Sequence, residues 1–224
     1  MRLKDTFSVK RLFNLNETIA NKIFENVELP WEVLEKIEGF IIALGKTLSR
    51  ERFIKHGENI WIAKNAKISN TASLTGPLII DENAEIRHCA FIRKNAIVGK
   101  NAVVGNSTEL KNVILFNGVQ VPHYNYVGDS ILGYKAHMGA GSITSNVKST
   151  RENVTVKFND EKVETGLKKF GAMLGDNVEI GCNTVLNPGT IIGKNSIVYP
   201  LQSVRGSIQE NCIYKSSREL ATRK

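Results

Sequence analysis

The residues whose chemistry stands out in this sequence lie between Lys111 and Asp129, where an otherwise monotonous chain is interrupted. His123 stands in the segment VPHYNYVGDS, and Tyr126 follows it closely. A free imidazole titrates near neutral pH, so His123 is a candidate general base. The alternative, that His123 only hydrogen-bonds within its own loop, stays open.

A second interruption, residues 145–170, is rich in basic side chains. Lysine and arginine are the residues that bind phosphate groups, so this segment predicts a phosphorylated ligand. For the pair Lys168 and Lys169, a solvated basic turn is an equally good interpretation. The alternation of Val154, Val156 and Phe158 predicts a small hairpin that turns at Asn159-Asp160.

The segments around these interruptions repeat with a period of six. Aliphatic residues recur at every sixth position from Ile62 to Leu110, and again from Leu174 to Val204. A helix would need a period near 3.6 and a simple hairpin sheet a period of 2. Period six is the hexapeptide signature of a parallel β-helix, in which three hexapeptides form one triangular coil. The sequence therefore predicts an all-β rod of about seven coils over residues 59–210.

Asparagine recurs near the end of many hexapeptides, where a turn residue that tolerates left-handed backbone is useful. The repeated positions are Asn65, Asn83, Asn95 and Asn101. Insertions in such a rod emerge as loops on one face, where function concentrates.

The flanks of the rod have a different composition. Residues 1–58 predict a helical arm or cap that can serve as an oligomer contact. In it, one helix is capped near Asn16 and ends at Asn26, and a second begins at Pro30. The polar tail, residues 211–224, is expected to fray or to form a short helix.

Composition limits the class of protein. Hydrophobic residues make up 42% and charged residues 23%, which is ordinary for a soluble globular protein. No apolar run is long enough to span a membrane, and the N-terminus does not resemble a secretory signal. The three cysteines Cys89, Cys182 and Cys212 show no paired spacing, which argues against disulfides or zinc and suits a reducing cytoplasm.

The formal net charge is +8. Nucleic-acid binding is disfavoured because the basic residues are scattered and no nucleic-acid-binding motif is present. Phosphorylated small ligands explain the same excess, and so does a basic surface that only maintains solubility.

Three segments together resemble a known family. They are the E-x-K segment at Glu109, the H-x-x-Y-x-G-D segment at His123, and GAGSITSN, which ends at Asn146. Over residues 60–210 the chain resembles the acetyltransferase half of bifunctional UDP-N-acetylglucosamine pyrophosphorylase/glucosamine-1-phosphate acetyltransferases. The end of the insertion looks like a subgroup of sugar-phosphate acetyltransferases that carry a hairpin there. The resemblance implies a left-handed β-helix and a homotrimer with sites between the rods. It also implies acetyl-CoA as co-substrate, an amino-sugar 1-phosphate as acceptor, and no metal.

The resemblance also implies roles for individual residues. His123 would deprotonate the sugar amine. Independently of the resemblance, acyl transfer needs donors for an oxyanion, and backbone N–H groups near Gly139-Ala140-Gly141 are candidates. The family's acceptor-site residues match Arg93, which would bind the sugar phosphate, and Lys111, Tyr126, Asn146 and Lys169. On the acetyl-CoA side the implied contacts are the backbone around Ala140, Cys182 where serine is common, and the basic residues Lys215 and Arg218.

One position departs from the family pattern. His137 stands where the family has an acceptor-site asparagine, so it is a candidate substrate-binding residue that would alter the amino sugar accepted or abolish activity. An outward-facing residue beside an inward Met138 is an equally good interpretation, since neighbouring strand residues alternate faces.

The nucleotidyltransferase half of the family has no counterpart in this sequence. The first 58 residues contain no G-x-G-x-R segment and are too few to hold such a domain. We therefore expect no uridylyl transfer from this chain alone, and a separate nucleotidyltransferase is a candidate partner.

Two functions remain open after the sequence alone. The first is an N-acetyltransferase acting on an amino-sugar 1-phosphate, towards UDP-N-acetylglucosamine or cell-wall precursors. The second is a non-catalytic module that binds a nucleotide sugar or a partner protein. A zinc carbonic anhydrase on the same rod is disfavoured, because the spacing of the four histidines does not bring three together.

Overall fold

The computed structural model describes residues 2–216 and 219–223. Within them, six short helical segments precede the rod. They are the α-helices α1 (Leu3–Phe7), α2 (Val9–Leu12) and α3 (Ile37–Thr47) and the 3-10 helices Leu15–Glu17, Asn21–Phe24 and Pro30–Lys36.

The rest of the described chain is built from short strands. The first are β1 (Phe53–Gly57), β2 (Ile60–Ala63), β3 (Lys67–Ile68), β4 (Ser73–Thr75), β5 (Leu78–Ile80), β6 (Glu85–Ile86), β7 (Phe91–Arg93), β8 (Ala96–Val98), β9 (Val103–Asn106), β10 (Glu109–Leu115), β11 (Gln120–His123), β12 (Tyr126–Leu132), β13 (His137–Met138) and β14 (Ile143–Thr144). They are followed by β15 (Thr155–Phe158), β16 (Glu161–Glu164), β17 (Ala172–Leu174), β18 (Glu179–Ile180), β19 (Val185–Leu186), β20 (Thr190–Ile192), β21 (Ile197–Val198), β22 (Ser203–Val204), β23 (Ser207–Ile208), β24 (Cys212–Ser216) and β25 (Glu219–Thr222).

Parallel pairing stacks these strands into three faces of one rod. Face A contains β2, β5, β8, the second half of β10, the second half of β12, β17, β20 and β23. Face B contains β3, β6, β9, β11, β13, β18, β21 and β24. Face C contains β4, β7, the first halves of β10 and β12, β14, β19 and β22.

This arrangement confirms the predicted fold class, a left-handed parallel β-helix. One strand from each face makes one coil, and the period-six aliphatic side chains fill the inside of the rod. The coil count slightly exceeds the prediction of about seven, because β23 and β24 continue the described rod beyond the coil of β20, β21 and β22.

The N-terminal arm packs on face A of its own rod. Phe13 and Phe24 lie against Phe116, with ring centroids 5.1 and 5.9 Å from it. Gly45 of α3 lies so close to Trp61 that a Cβ there would be 2.4 Å from the indole. Face A is therefore buried on both sides, which leaves faces B and C for ligands.

The first predicted helix of the arm is wrong. Residues 15–24 form only the two short 3-10 helices. The Asn14 side chain accepts from the Asn16 N–H, and Thr18 Oγ1 accepts from the Ala20 N–H. Such local side-chain bonds compete with the helical backbone ladder. The second prediction is confirmed: Pro30 begins a helical stretch that continues into α3.

The C-terminal tail is neither frayed nor helical in the part that is described. β24 pairs with β21 in parallel and with β25 antiparallel. Ile213 and Tyr214 of β24 continue the ladder of face B. The other edge of β24 then pairs with β25, so it is not left exposed. The tail therefore extends and closes face B.

The turns between faces account for two features of the sequence: the recurring asparagines and the change in repeat length at the first interruption. Asn83, Asn95 and Asn101 have left-handed backbone as predicted, whereas Asn65 does not. At the first interruption the strand partners change from Ile62 with Ile80 to Leu110 with Val127, so that coil is one residue shorter.

The second interruption forms the predicted hairpin, with β15 and β16 paired antiparallel and Asn159 in left-handed conformation at the turn. Cys89, Cys182 and Cys212 are free thiols. Within residues 2–216 and 219–223, no helix is long and apolar enough to cross a membrane.

Candidate functional site

Two edges of the rod border face C. We call the turn between faces B and C edge BC, and the turn between faces C and A edge CA. His123 lies on edge BC at the end of β11, and Tyr126 begins the next strand on face C. Asp129 lies on edge CA in the bend of β12, with φ 47°.

The backbone of His123 is fixed while its ring stays exposed. Its N–H donates to Asn125 Oδ1 at 3.1 Å, and its carbonyl accepts from the Gly141 N–H at 3.0 Å. Asn125 is buried and donates to the carbonyls of Gly139 and Ser142. Among the residues that the structure describes, the imidazole has no hydrogen-bond partner, so it is available to a ligand.

Three predicted residues stack on successive coils of edge BC. The Gly141 N–H bonds to the His123 carbonyl, and the Asn183 N–H bonds to the Ala140 carbonyl at 2.8 Å. These contacts place Ala140 one coil beyond His123, and Cys182, with an exposed thiol, one coil further.

Lys215 lies further along the same edge. It follows Tyr214, whose carbonyl accepts from the Tyr199 N–H at 2.9 Å. Lys215 is thus four coils from His123, or about 19 Å at the usual strand spacing of about 4.8 Å. Its ammonium pairs with Glu219. Arg218, the other predicted basic contact, lies outside the described residues.

The predicted oxyanion donors are only partly available. The Gly139 N–H donates to the Ile180 carbonyl at 2.7 Å, and the Gly141 N–H donates to His123. Only the Ala140 N–H of these three lacks an acceptor among the residues of the described chain. The ladder between coils uses two of the three N–H groups, so the predicted oxyanion donor in this segment is narrowed to Ala140.

A hydrogen-bonded cluster centred on Asp129 occupies edge CA. Its carboxylate accepts from Lys111 Nζ at 3.0 Å, Asn112 Nδ2 at 3.0 Å and Asn146 Nδ2 at 2.5 Å. The Asp129 side chain is 7% exposed and that of Lys111 is 16% exposed. Buried charges need such partners to offset their desolvation.

Tyr126 and Arg93 adjoin this cluster on face C. The Tyr126 hydroxyl accepts from Asn146 Nδ2 at 3.2 Å, and its ring lies over Gly128. Burial, and then the negative charges of Asp129 and Glu109, raise the pKa of Tyr126, which keeps the phenol neutral. Arg93 pairs with Glu109 at 2.5 Å, and that hydrogen bond raises the pKa of Arg93.

Lys169 and Lys111 line one cleft of about 480 Å³ on edge CA, which we call the acceptor cleft. Lys94 and Lys168 line it as well, and the arm contributes a wall. Lys94, Lys168 and Lys169 pair with no carboxylate in the part of the chain that is described. The residues that line the cleft are Leu34, Glu35, Glu38, Lys94, Asn95, Lys111, Asn112, Asp129, Leu167, Lys168 and Lys169.

His137 lies apart from the other predicted residues. It is on face B in β13, where its Nδ1 is 2.8 Å from Glu179 Oε2. Met138 beside it is fully buried, as strand alternation predicts. Within one chain, His137 does not meet the cluster around Asp129.

Glu109 and Asp129 lie in the sequence motifs, but the sequence did not assign either of them a role in the site. It gave no role to Asn112 or to the arm carboxylates Glu35 and Glu38. The spacing between Lys111 and Asp129, one coil apart, was the available signal for Asp129. Nothing in the repeat predicts where the arm crosses the rod.

Comparison with protein families places the chain among known proteins. The family model described as the GMPPB C-terminal domain matches residues 74–213. The chain belongs to this family. The match covers most of the rod, including both edges described above.

Curated relatives of the chain are larger proteins. The chain is 32% identical over 232 residues to the bifunctional protein GlmU of Methanococcus vannielii, covering 95% of this chain and 51% of that protein. Identity to the GlmU protein of Methanococcus maripaludis strain C7 is 34%, covering 91% of this chain and 50% of that protein. The chain thus spans about half the length of these relatives, and the resemblance to the bifunctional family is confirmed.

Solved structures show more distant similarity. The polySia specific acetyltransferase NeuO is 12% identical, with a TM-score of 0.48 over 65% of this chain and 71% of that chain. A mutant of GDP-perosamine N-acetyl transferase from Caulobacter crescentus, in complex with CoA and GDP-perosamine, is 16% identical. Its TM-score is 0.30 over 74% of this chain and 56% of that chain.

Proposed function

We propose that this chain is an acetyl-CoA-dependent N-acetyltransferase acting on an amino-sugar 1-phosphate of the glucosamine 1-phosphate type. Its product would serve UDP-N-acetylglucosamine or cell-wall precursor synthesis. The observation that carries the proposal is the order along edge BC: an unengaged imidazole at His123, then Ala140 with a free N–H, then Cys182. Across face C from this edge lies the acceptor cleft, whose lining contains four lysines and three carboxylates.

The proposed reaction uses His123 as general base. The neutral sugar amine attacks the thioester carbonyl carbon, and the His123 imidazole removes a proton from nitrogen as the C–N bond forms. The oxyanion then forms next to the Ala140 N–H, the available donor among the three predicted ones. Collapse of the intermediate breaks the C–S bond, and the imidazolium returns its proton to the departing CoA sulfur.

The acceptor phosphate suits edge CA. Lys169, with Lys94 and Lys168, presents ammonium groups that no carboxylate of the described residues neutralises, and a phosphate has the matching charge. Lys111 and Arg93 are already paired with carboxylates, so their contribution is to hold Asp129 and Glu109 in position. Tyr126 lies between the two edges, where a sugar ring would bridge them.

The pantetheine chain of acetyl-CoA would follow edge BC. That edge leads from Ala140 past Cys182 to Lys215, where a phosphate would compete with Glu219. Exposed apolar side chains lie beside the path, with Tyr124 64% and Leu201 76% exposed. Such side chains also suit contact with a second copy of the chain, which supports a homotrimer with sites between rods.

One observation favours the second candidate function, a binding module without catalysis. The His137 side chain is hydrogen-bonded to Glu179 on face B and does not join the cluster around Asp129. If His137 of another chain must complete the acceptor site, the replacement of the family's asparagine by histidine at this position would affect turnover directly. This candidate predicts binding of a nucleotide sugar or a partner, with no thiol release.

The deciding experiment measures free-thiol release from acetyl-CoA. The acceptors are glucosamine 1-phosphate, galactosamine 1-phosphate and unphosphorylated glucosamine, with the native chain and His123→Ala. We expect turnover that requires the phosphate and falls roughly 100-fold or more in His123→Ala, the usual contribution of a general base.

His88→Ala is the matched control, because His88 is an exposed histidine on the same edge, outside the proposed reaction. It should keep native turnover. A folded native chain that releases no thiol with any acceptor would refute the enzyme and favour the binding module. Equal losses in both variants would refute the specific role of His123.

A further inference from the structure

A second basic cleft lies on edge CA beyond the acceptor cleft, between the inserted hairpin and the last coils. Its volume is about 620 Å³, and we call it the hairpin cleft. The residues that line it are Ser145, Val147, Lys148, Ser149, Thr150, Glu152, Thr155, Lys157, Lys162, Asn187, Pro188, Arg205 and Gly206. Four cations thus face one carboxylate, with four hydroxyl groups among them.

The hairpin is anchored so that its cations must point into this cleft. Val156 and Phe158 of β15 are buried, and the Phe158 ring packs edge-on against Phe7 of the arm at 4.9 Å. Strand alternation then directs Thr155 and Lys157 to the opposite side, where both line the cleft. The position of Lys157 is therefore set by packing, although its ammonium is exposed.

Charge pairing within the cleft is incomplete. Lys148 pairs with Glu152 at 3.3 Å, and Lys162 pairs with Glu164 at 2.7 Å. Lys157 and Arg205 form no ion pair or hydrogen bond through their side chains with any residue that the structure describes. They supply one ammonium and one guanidinium without a protein counter-charge.

Two lysines share one cross-strand position of the hairpin. Lys157 lies directly opposite Lys162 in the antiparallel pair. Like charges at such positions destabilise a hairpin, and neither residue needs to be lysine for the turn or the core. A bound polyanion would supply the counter-charge that Lys157 lacks among the described residues.

We propose that the hairpin cleft binds the diphosphate group of a nucleotide ligand. Arg205 offers a planar set of donors for one phosphate, while Lys157 neutralises the other, and the hydroxyls of Thr155 and Ser149 add neutral donors. Coenzyme A and a nucleotide sugar share this diphosphate. The assignment to coenzyme A rests on the proposed acyl transfer, whereas binding of pyrophosphate by the cleft can be measured whether or not the chain releases thiol.

The test is calorimetric titration of the full chain with inorganic pyrophosphate at low salt, using Lys157→Gln, Arg205→Gln and the double variant. We expect each substitution to weaken binding about tenfold, since one charge-assisted hydrogen bond is lost in each. Lys67→Gln removes an exposed charge from face B and serves as the matched control, with affinity unchanged. No binding by the native chain, or equal weakening in Lys67→Gln, would overturn the proposal.

Competition identifies the source of the diphosphate. Displacement of pyrophosphate by coenzyme A, or by uridine 5′-diphosphate, supports the proposal and distinguishes the two ligands. Displacement by neither would overturn the assignment to a nucleotide. Thermal unfolding adds a readout without ligand: Lys157→Gln should raise the midpoint of unfolding, because it removes one of two like charges at opposite positions of the hairpin. An unchanged or lower midpoint would contradict the like-charge argument.

Discussion

The buried carboxylate of Asp129 provides a direct test of how the acceptor site is built. The substitution Asp129→Asn preserves side-chain size and removes the negative charge. Asparagine also tolerates the left-handed backbone at this position, where φ is 47°. Any loss of stability therefore reflects the hydrogen bonds and the ion pair rather than backbone strain.

The expected magnitude follows from the donors around the carboxylate. Oδ2 accepts from Lys111 and Asn146, and Oδ1 accepts from Asn112. An amide has a single acceptor oxygen, so at least one of these donors would face an NH2 group, which costs about 1–3 kcal/mol. Leaving Lys111 without its counter-charge adds to this, because breaking a buried pair costs about 3–5 kcal/mol. The Lys111 side chain is 16% exposed and regains hydration when the pair is lost, which reduces this second cost to about 1–2 kcal/mol, so we expect a total of about 3 kcal/mol.

Urea unfolding measures this loss, and a double-mutant cycle with Lys111→Met isolates the pair. Lys111→Met should destabilise the native chain but cost at least about 1 kcal/mol less in the Asp129→Asn background. Asp160→Asn, in the exposed turn of the hairpin, is the matched control and should change stability by less than about 0.5 kcal/mol.

Two results would refute this reasoning. The first is a loss in Asp129→Asn no larger than that of the Asp160→Asn control. The second is an identical cost of Lys111→Met in both backgrounds, which would mean that Lys111 and Asp129 do not interact energetically.

Two further predictions concern the packing of Tyr126 and the ion pairs of Glu82. In Gly128→Ala the new Cβ would lie 2.5 Å from the Tyr126 hydroxyl, so the ring must move, and we expect a loss of about 1–3 kcal/mol in unfolding free energy. Hydrogen bonds from Arg52 and then Lys100 lower the pKa of Glu82 from 4.5 to about 2. A depressed pKa gives stability above pH 4.5 that is lost as the pH falls towards 2, so the stability difference between the native chain and Glu82→Gln should disappear in that window.

Each of these predictions has its own check. Gly39→Ala lies in α3 with open space around it, so it should stabilise the chain by about 0.5–1 kcal/mol, opposite in sign to Gly128→Ala. For Glu82 the neutral-pH difference should be about 0.2–1 kcal/mol and shrink in high salt, since the pair is partly exposed. A difference that persists at pH 2 would contradict the assignment to these ion pairs.

The amino-acid sequence alone determined the rod and the candidate chemistry. Period six fixes which side chains point inward, so Ile62, Ile80 and Leu110 identify the interior without coordinates. The alternation from Val154 to Phe158 likewise predicted the hairpin. Side chains that alternate with a period of two indicate a strand, and Asn159-Asp160 after it indicates the turn. The arm helix predicted to end at Asn26 failed, since local bonds from Asn14 and Thr18 replaced the helical ladder.

The tertiary structure alone decided which groups meet and which are already engaged. Whether a backbone N–H is free depends on the neighbouring coil, so only coordinates separate Ala140 from Gly139 and Gly141. The course of the arm over face A brings Glu35 and Glu38 to the acceptor cleft from far away in sequence. His137 fits the family segment by position, yet its face of the rod puts it beside Glu179. A repeat specifies the direction of each side chain, whereas contacts between coils and arm depend on how the whole chain packs.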